Sequence, residues 1–161
     1  MINEIRKWGV PEQLKGRNID FIFNVDDIKD EINSFKSNHS KEYYKDLHCR
    51  NGSVKFCLYD YDLNEIVFTM DFIEISLLVR EKYIKLQVLY VNDSNLRNKG
   101  IATYYLKKLQ EYAIKEKCSC IKVHPDPDDE LFVNKKNALS KQELINFYER
   151  MSNEQMHIEL S

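Results

Sequence analysis

Between residues 54 and 113 the hydrophobic period changes once, from two to about 3.6, and that change limits the fold more than any other feature of the chain. Val54, Phe56 and Leu58 alternate with Lys55, Cys57 and Tyr59. Ile66, Phe68, Met70 and Phe72 alternate with Val67, Thr69 and Asp71, and Ile84, Leu86, Val88 and Tyr90 share one face of a run over 83–91. Successive side chains of a strand point to opposite faces, so the pattern predicts three strands. The polar run at 60–65 supplies a hairpin turn, and an antiparallel meander is expected. Beyond it, Ala102, Tyr105, Leu106, Leu109 and Ala113 fall on one stripe, opposite Lys107, Lys108, Glu111 and Lys115. That spacing predicts a helix packed by one face.

The flanking segments extend the same plan. A strand over 120–124 follows the helix and is expected to lie parallel to the 83–91 strand, as a right-handed βαβ unit. Residues 19–25 read as a strand leading into a helix capped by Asp26 or Asp27, with Ile28, Ile32 and Phe35 at helical spacing. A shorter helix is expected over 43–47. The last helix carries the clearest start signal: Ser140 as N-cap, Glu143 three residues later, and Leu139 placed to pack against Leu144. Its apolar face is Leu144, Phe147, Tyr148 and Met151, and a strand over 156–160 follows. The fold class expected is α/β (α+β), a mixed, mostly antiparallel central sheet flanked by helices. No repeat, low-complexity run or Pro/Gly-rich linker divides the 161 residues, so one domain over 1–161 is expected.

Chemistry concentrates where the period changes. Arg97, Asn98, Lys99, Gly100, Ile101 and Ala102 form a strand-to-helix turn rich in free backbone N–H groups. The first amides of a helix have no partner inside it, and the helix dipole places partial positive charge at that end, so such a turn suits a phosphate. Small residues at Gly100 and Ala102 let an anion approach the backbone, and Arg97 and Lys99 would add charge-assisted contacts.

Other classes find less support. With 24 Lys and Arg among 26 Asp and Glu and a net charge of −2, no basic face is evident, and nucleic acid is not an expected partner. No stretch approaches the roughly 20 apolar residues of a spanning helix, and the first ten residues resemble no signal peptide, so no membrane partner and a cytoplasmic location are expected. Cys49, Cys57, Cys118 and Cys120 lack the dense spacing of a disulfide framework, in keeping with a reducing compartment. Cys118, Cys120 and His124 have no fourth ligand nearby, and small apolar thiols are the expected reading, with no metal. Asp126, Asp128 and Asp129 read as a solvated acidic loop, and neither His48 nor His157 has the neighbours of a triad.

The Arg-x-x-Gly-x-Ala motif, standing after the Leu89-x-Val91 strand end and opening an amphipathic helix, resembles the coenzyme A binding motif of the GCN5-related N-acetyltransferase (GNAT) family. The order of elements over 54–151 is similar, and Phe147-Tyr148-Glu149-Arg150 stands where that family has a late Phe-Tyr-x-Lys/Arg helix. The resemblance implies a GNAT-like sheet whose βαβ core binds acyl-CoA. It implies that Leu89 and Val91 offer backbone groups to the pantetheine arm between splayed strands, and that the residues from Arg97 to Ala102 hold the pyrophosphate. Tyr148 would be the catalytic acid at the thioester sulfur, a phenol with pKa about 10 being protonated at neutral pH. A backbone N–H near Leu89 or Tyr90 would polarise the thioester carbonyl.

The implied activity is transfer of an acetyl group from acetyl-CoA, the co-substrate, to a primary amine of a small molecule or peptide, by direct attack in a ternary complex. The alternative is a non-catalytic acyl-CoA-binding or sensing module of the same fold. The attacking ammonium must lose a proton, and here Lys85 and Gln87 occupy the strand where some members carry Glu; Asp71, Glu74 or water are the remaining candidates. The pattern departs from the family at Lys141, where an Asn is usual, in a 91–97 loop about one residue longer, and at Met151-Ser152-Asn153, which replaces a Gly-Phe. A short acceptor side implies an open site or one completed in a homodimer.

Overall fold

The three alternating runs form the middle of a seven-stranded sheet in the computed structural model, which describes residues 1–28, 38–76 and 81–161. Across the sheet run β1 (Ile19–Ile22), β3 (Ser53–Asp60), β4 (Glu65–Ser76), β5 (Lys82–Val91), β6 (Cys120–Val123) and β7 (His157–Leu160), and β2 (His48–Arg50) pairs with β3 off this path. Pairs from β1 to β5 are antiparallel, whereas β5 with β6 and β6 with β7 are parallel. Parallel neighbours need a crossover, and the helices α3 (Ile101–Lys115) and α4 (Lys141–Met151) provide both. Two more helices, α1 (Ile2–Arg6) and α2 (Asn38–Lys45), precede the meander. The mixed, mostly antiparallel sheet with a βαβ unit at β5-α3-β6 is the architecture that the periodicity predicts. Among the described residues no helix is long and apolar enough to cross a membrane.

Both faces of β3 are covered. Val54, Phe56 and Leu58 enter the larger core with α1, α3 and α4, while Cys57 and Tyr59 enter a smaller cluster with Ile22, Tyr44 and Leu47. Phe56 sits at the centre of the larger core, fully buried, its ring 5.4 Å from Phe21, 5.8 Å from Phe23 and 6.2 Å from both Phe68 and Tyr105. Tyr105 stacks on Phe68 at 4.5 Å, which seats α3 on the sheet. The N-terminal segment locks over the same helix, because Tyr104 Oη donates to Trp8 O and Tyr105 Oη to Gly9 O (2.9 Å). The hairpin turn after β3 is organised by Asp60, whose Oδ1 accepts from the amides of Asp62 (2.9 Å) and Leu63 (3.1 Å) while Oδ2 takes Arg17 Nε at 2.7 Å.

Two bulges alter the facing that strict alternation predicts. The β3–β4 register skips Val67, so Ile66 turns into the smaller cluster while Phe68, Met70 and Phe72 face the larger core. The carbonyl of Val67 then accepts from the amide of Asn92 (3.0 Å), tying the bulge to the end of β5. The β4–β5 register skips Gln87. Ile84 and Leu86 face the larger core before it and Leu89 and Val91 after it, so Val88 and Tyr90 lie on the opposite face from Ile84 and Leu86.

Smaller differences occur at the ends. The first strand stops at Ile22 because Asn24, not Asp26 or Asp27, is the cap: its side chain accepts from the Asp26 amide (3.0 Å) and opens a 3₁₀ turn over Val25–Asp27. Ile28 is extended and buried, and the helical positions expected for Ile32 and Phe35 lie outside the described residues. α2 begins at Asn38, ahead of the expected 43. α4 has both halves of its capping box, Glu143 N–H to Ser140 Oγ (3.3 Å) and Ser140 N–H to Glu143 Oε2 (2.8 Å).

Truncating Phe56 to Ala removes the common neighbour of these rings. It is expected to lower the unfolding free energy by about 3–5 kcal/mol, with a smaller loss for Phe56→Leu, as measured by denaturant titration.

Candidate functional site

The parallel contact between β5 and β6 lasts only for Ile84 with Ile121, Lys85 with Lys122 and Leu86 with Val123. β6 then ends while β5 continues to Val91, so among the described residues the β5 edge from Gln87 onward has no strand beside it on that side. The opening is a cleft of about 590 Å³, a size usual for a small-molecule site. Its strand wall is Gln87, Leu89, Tyr90 and Val91, and His124, Pro125 and Asp126 stand across from them where β6 has stopped.

One end of the cleft is the start of α3. Gly100 is the N-cap in the left-handed region (φ +89°), where a side chain would be strained, and no side chain caps the helix there. The first intrahelical bond runs from Tyr104 N–H to Gly100 O (2.9 Å), leaving the amides of Ile101, Ala102 and Thr103 without a partner inside the helix. All three residues and Gly100 line the cleft. Asn98, also left-handed (φ 60°), precedes this turn, and Gln13 Nε2 donates to the carbonyl of Lys99 from the outside.

Tyr148 lines the cleft from α4 and is 6% exposed. Among the described residues its hydroxyl has no hydrogen-bond partner. Burial alone pushes its pKa above that of an ordinary phenol, so the group stays protonated across the neutral range.

Of the residues singled out from the sequence, the structure brings together Leu89, Val91, Arg97, Asn98, Gly100, Ile101, Ala102 and Tyr148 on one cleft. Lys99 is exposed at the turn and is not part of the lining. Arg97 lines the cleft but is engaged by protein groups: Nε donates to Val91 O (2.8 Å), Nη1 to Asn134 O and Lys136 O (both 2.6 Å), and Nη2 to Tyr90 Oη (2.7 Å). Ile101 is 1% exposed and belongs to the core with its side chain, so only its backbone is offered to the cleft.

The base candidates stand away from this lining. Glu74 pairs with Lys82 (3.2 Å), which also bonds Glu116 (3.1 Å). Asp71 accepts from Tyr43 Oη (3.2 Å) on the far side of β5, and burial raises its pKa. Burial pushes the Cys118 thiol up to about 11, so at neutral pH it is protonated and a poor nucleophile. Among the described residues no three His, Cys, Asp or Glu side chains are grouped to hold a metal ion. The wall formed by Phe132, Asn137 and Ala138 has no sequence signal beyond Asn134 and Asn137, and sequence reasoning missed it.

No sequence-family model matches the chain, and neither does any curated protein sequence. Solved structures do match. A ribosomal-protein-alanine N-acetyltransferase from Brucella melitensis biovar Abortus 2308 superposes with a TM-score of 0.53 at 14% identity, covering 84% of this chain and 90% of that one. An aminoglycoside acetyltransferase from an uncultured soil metagenomic sample, solved with trehalose, matches at TM-score 0.51 and 16% identity over 84% of this chain and 86% of that one. The same enzyme with sisomicin gives 0.50 at 15% identity, with the same coverage. Four other solved chains are matched over 62% to 67% of their own length. Strand order, the β5-α3-β6 crossover and these superpositions together show that the chain has the fold of the GCN5-related N-acetyltransferases.

Proposed function

We propose that the protein is an N-acetyltransferase that takes its acetyl group from acetyl-CoA and passes it to a primary amine. The observation that carries this reading is the convergence on one cleft of three features that serve different parts of one co-substrate. The uncapped amides at Ile101, Ala102 and Thr103 suit a diphosphate, with the helix dipole adding to the attraction. The unpaired edge of β5 beyond Leu86 suits the amide-bearing pantetheine arm. The Tyr148 hydroxyl, protonated and unpartnered, suits a sulfur that leaves as thiolate and needs a proton.

In this reading acetyl-CoA supplies an activated acyl group, and the chain's own residues place and protonate. Leu89 holds the arm with backbone groups, together with the N–H of Val91, whose carbonyl is already taken by Arg97. Gly100 permits the turn that opens the α3 amides to the cleft, because a Cβ there would stand in the left-handed region and 3.4 Å from Gln13 Nε2. Tyr148 Oη gives its proton to the departing thiolate. Of the acceptors the sequence offers for the amine proton, Asp71 and Glu74 lie outside the lining, which leaves water. The fold of the neighbours supports this reading, as do the activities of the two enzymes named above.

Acetyl-CoA with a panel of primary amines is expected to give amine-dependent release of free thiol, read with a thiol reagent; binding of CoA without release for any amine would favour a sensing module. Tyr148→Phe is expected to lower kcat by about 10²-fold with CoA affinity retained, and an unchanged kcat would remove Tyr148 from the chemistry. Because its folded-state pKa is raised, ionisation of Tyr148 cannot cause a fall in rate below pH about 10; the rate is expected to rise with pH through the neutral range as the amine loses its proton. Gly100→Val is expected to weaken CoA binding by about tenfold or more, measured by calorimetry, through the strain of a branched residue at positive φ and a bulkier turn.

A further inference from the structure

Arg97 is 8% exposed, and its guanidinium points at carbonyl oxygens on two separate segments. Val91 O lies at the end of β5, whereas Asn134 O and Lys136 O belong to the connection between β6 and α4. Other contacts join the same two segments. Asn98 Nδ2 donates to Asn137 O (3.1 Å), Asn137 Nδ2 donates to Ser94 O (3.0 Å), and the rings of Tyr90 and Phe132 lie 4.5 Å apart. Tyr90 also accepts from Arg97 Nη2, so cation, phenol and phenyl form one packed group.

We propose that Arg97 is a positioning residue that fastens the β6–α4 connection along the cleft as its second wall, and that it does not itself bind an anion. A buried guanidinium is costly unless its donors are satisfied, and here four of its five N–H groups are: three by the carbonyls of Val91, Asn134 and Lys136 and one by Tyr90 Oη. An anion would find one N–H of Arg97 not already engaged, while three amides at the start of α3 are open. The planar fork explains why Arg stands here. Its nitrogens diverge to Val91 O, Tyr90 Oη and the Asn134 and Lys136 carbonyls, which a single ammonium cannot reach together.

Amide hydrogen exchange on the ligand-free protein tests this directly. The amides of Phe132 and Ala138 bond to Asp129 O (2.9 Å) and Lys135 O (3.0 Å), and report on the connection. In Arg97→Lys and Arg97→Gln their exchange is expected to accelerate by about tenfold, with the amides of α3 and β3 unchanged. Phe132→Ala loosens the same group from its outer side without a buried charge, and is expected to do likewise. Protection in Arg97→Lys or Phe132→Ala equal to that of the unsubstituted protein would overturn the proposal.

A second readout rests on the acetyltransferase reading. Arg97→Lys keeps the charge and is expected to weaken CoA binding, with an unchanged dependence on ionic strength in both Arg97 variants; a direct contact predicts near-normal affinity in Arg97→Lys and a flatter salt dependence in Arg97→Gln. If the unsubstituted protein does not bind CoA, that reading falls, and the exchange data alone decide on Arg97.

Discussion

The parallel pairing of β5 with β6 ends at Leu86 and Val123, and the rest of the site depends on that early end. A strand paired along its whole length offers no free backbone groups. By parting from β6, β5 keeps its antiparallel bonds to β4 and presents its other edge to a cleft. Buried backbone groups must find partners, so such an edge is either wet or bound. The bulge at Gln87 falls one residue past the last β5–β6 pair, and it reverses the facing of every later residue of β5. That reversal puts Leu89 and Val91 over the larger core and Tyr90 on the other side, in reach of Arg97 and Phe132. The free strand edge and the side on which Tyr90 meets the second wall are therefore set where regular pairing fails, at Leu86 and Gln87.

Much of this was legible in the sequence because it is written in local chemistry. The change of period located the meander and α3, and Ser140 with Glu143 marked the start of α4 to the residue. Gly100 was read as the turn position, and it is the left-handed cap. The bulges were not legible. An extra residue at Val67 or Gln87 leaves the alternating pattern intact on paper, because both flanking faces are apolar, and only the partner strand shows that the register has shifted. The cap at Asn24 was missed for a similar reason: Asn24, Asp26 and Asp27 all have capping side chains, and the local hydrogen bond chose among them.

Arg97 shows where motif reasoning stops. Its spacing to Gly100 suggested an anion ligand, since a cation before a helix start has an obvious electrostatic use. In the structure its guanidinium donates to the carbonyls of Val91, Asn134 and Lys136, the last two nearly forty residues away in the chain. Such a partner set depends on how the β6–α4 connection returns to the sheet, which no local pattern encodes. Tyr148 shows the opposite case. On sequence it could be ordinary core, and its burial agrees, yet its hydroxyl is left without a partner beside a cleft.

The central physical claim is that the helix start and the free β5 edge are two ends of one binding site for coenzyme A. Amide chemical shifts of the labelled protein, followed as CoA is added, test it most directly. Saturable shifts are expected at Ile101, Ala102 and Thr103 and also along Gln87, Leu89 and Tyr90, all with the same dissociation constant. Silence at those amides with millimolar CoA, or shifts confined to another face of the sheet, would contradict it.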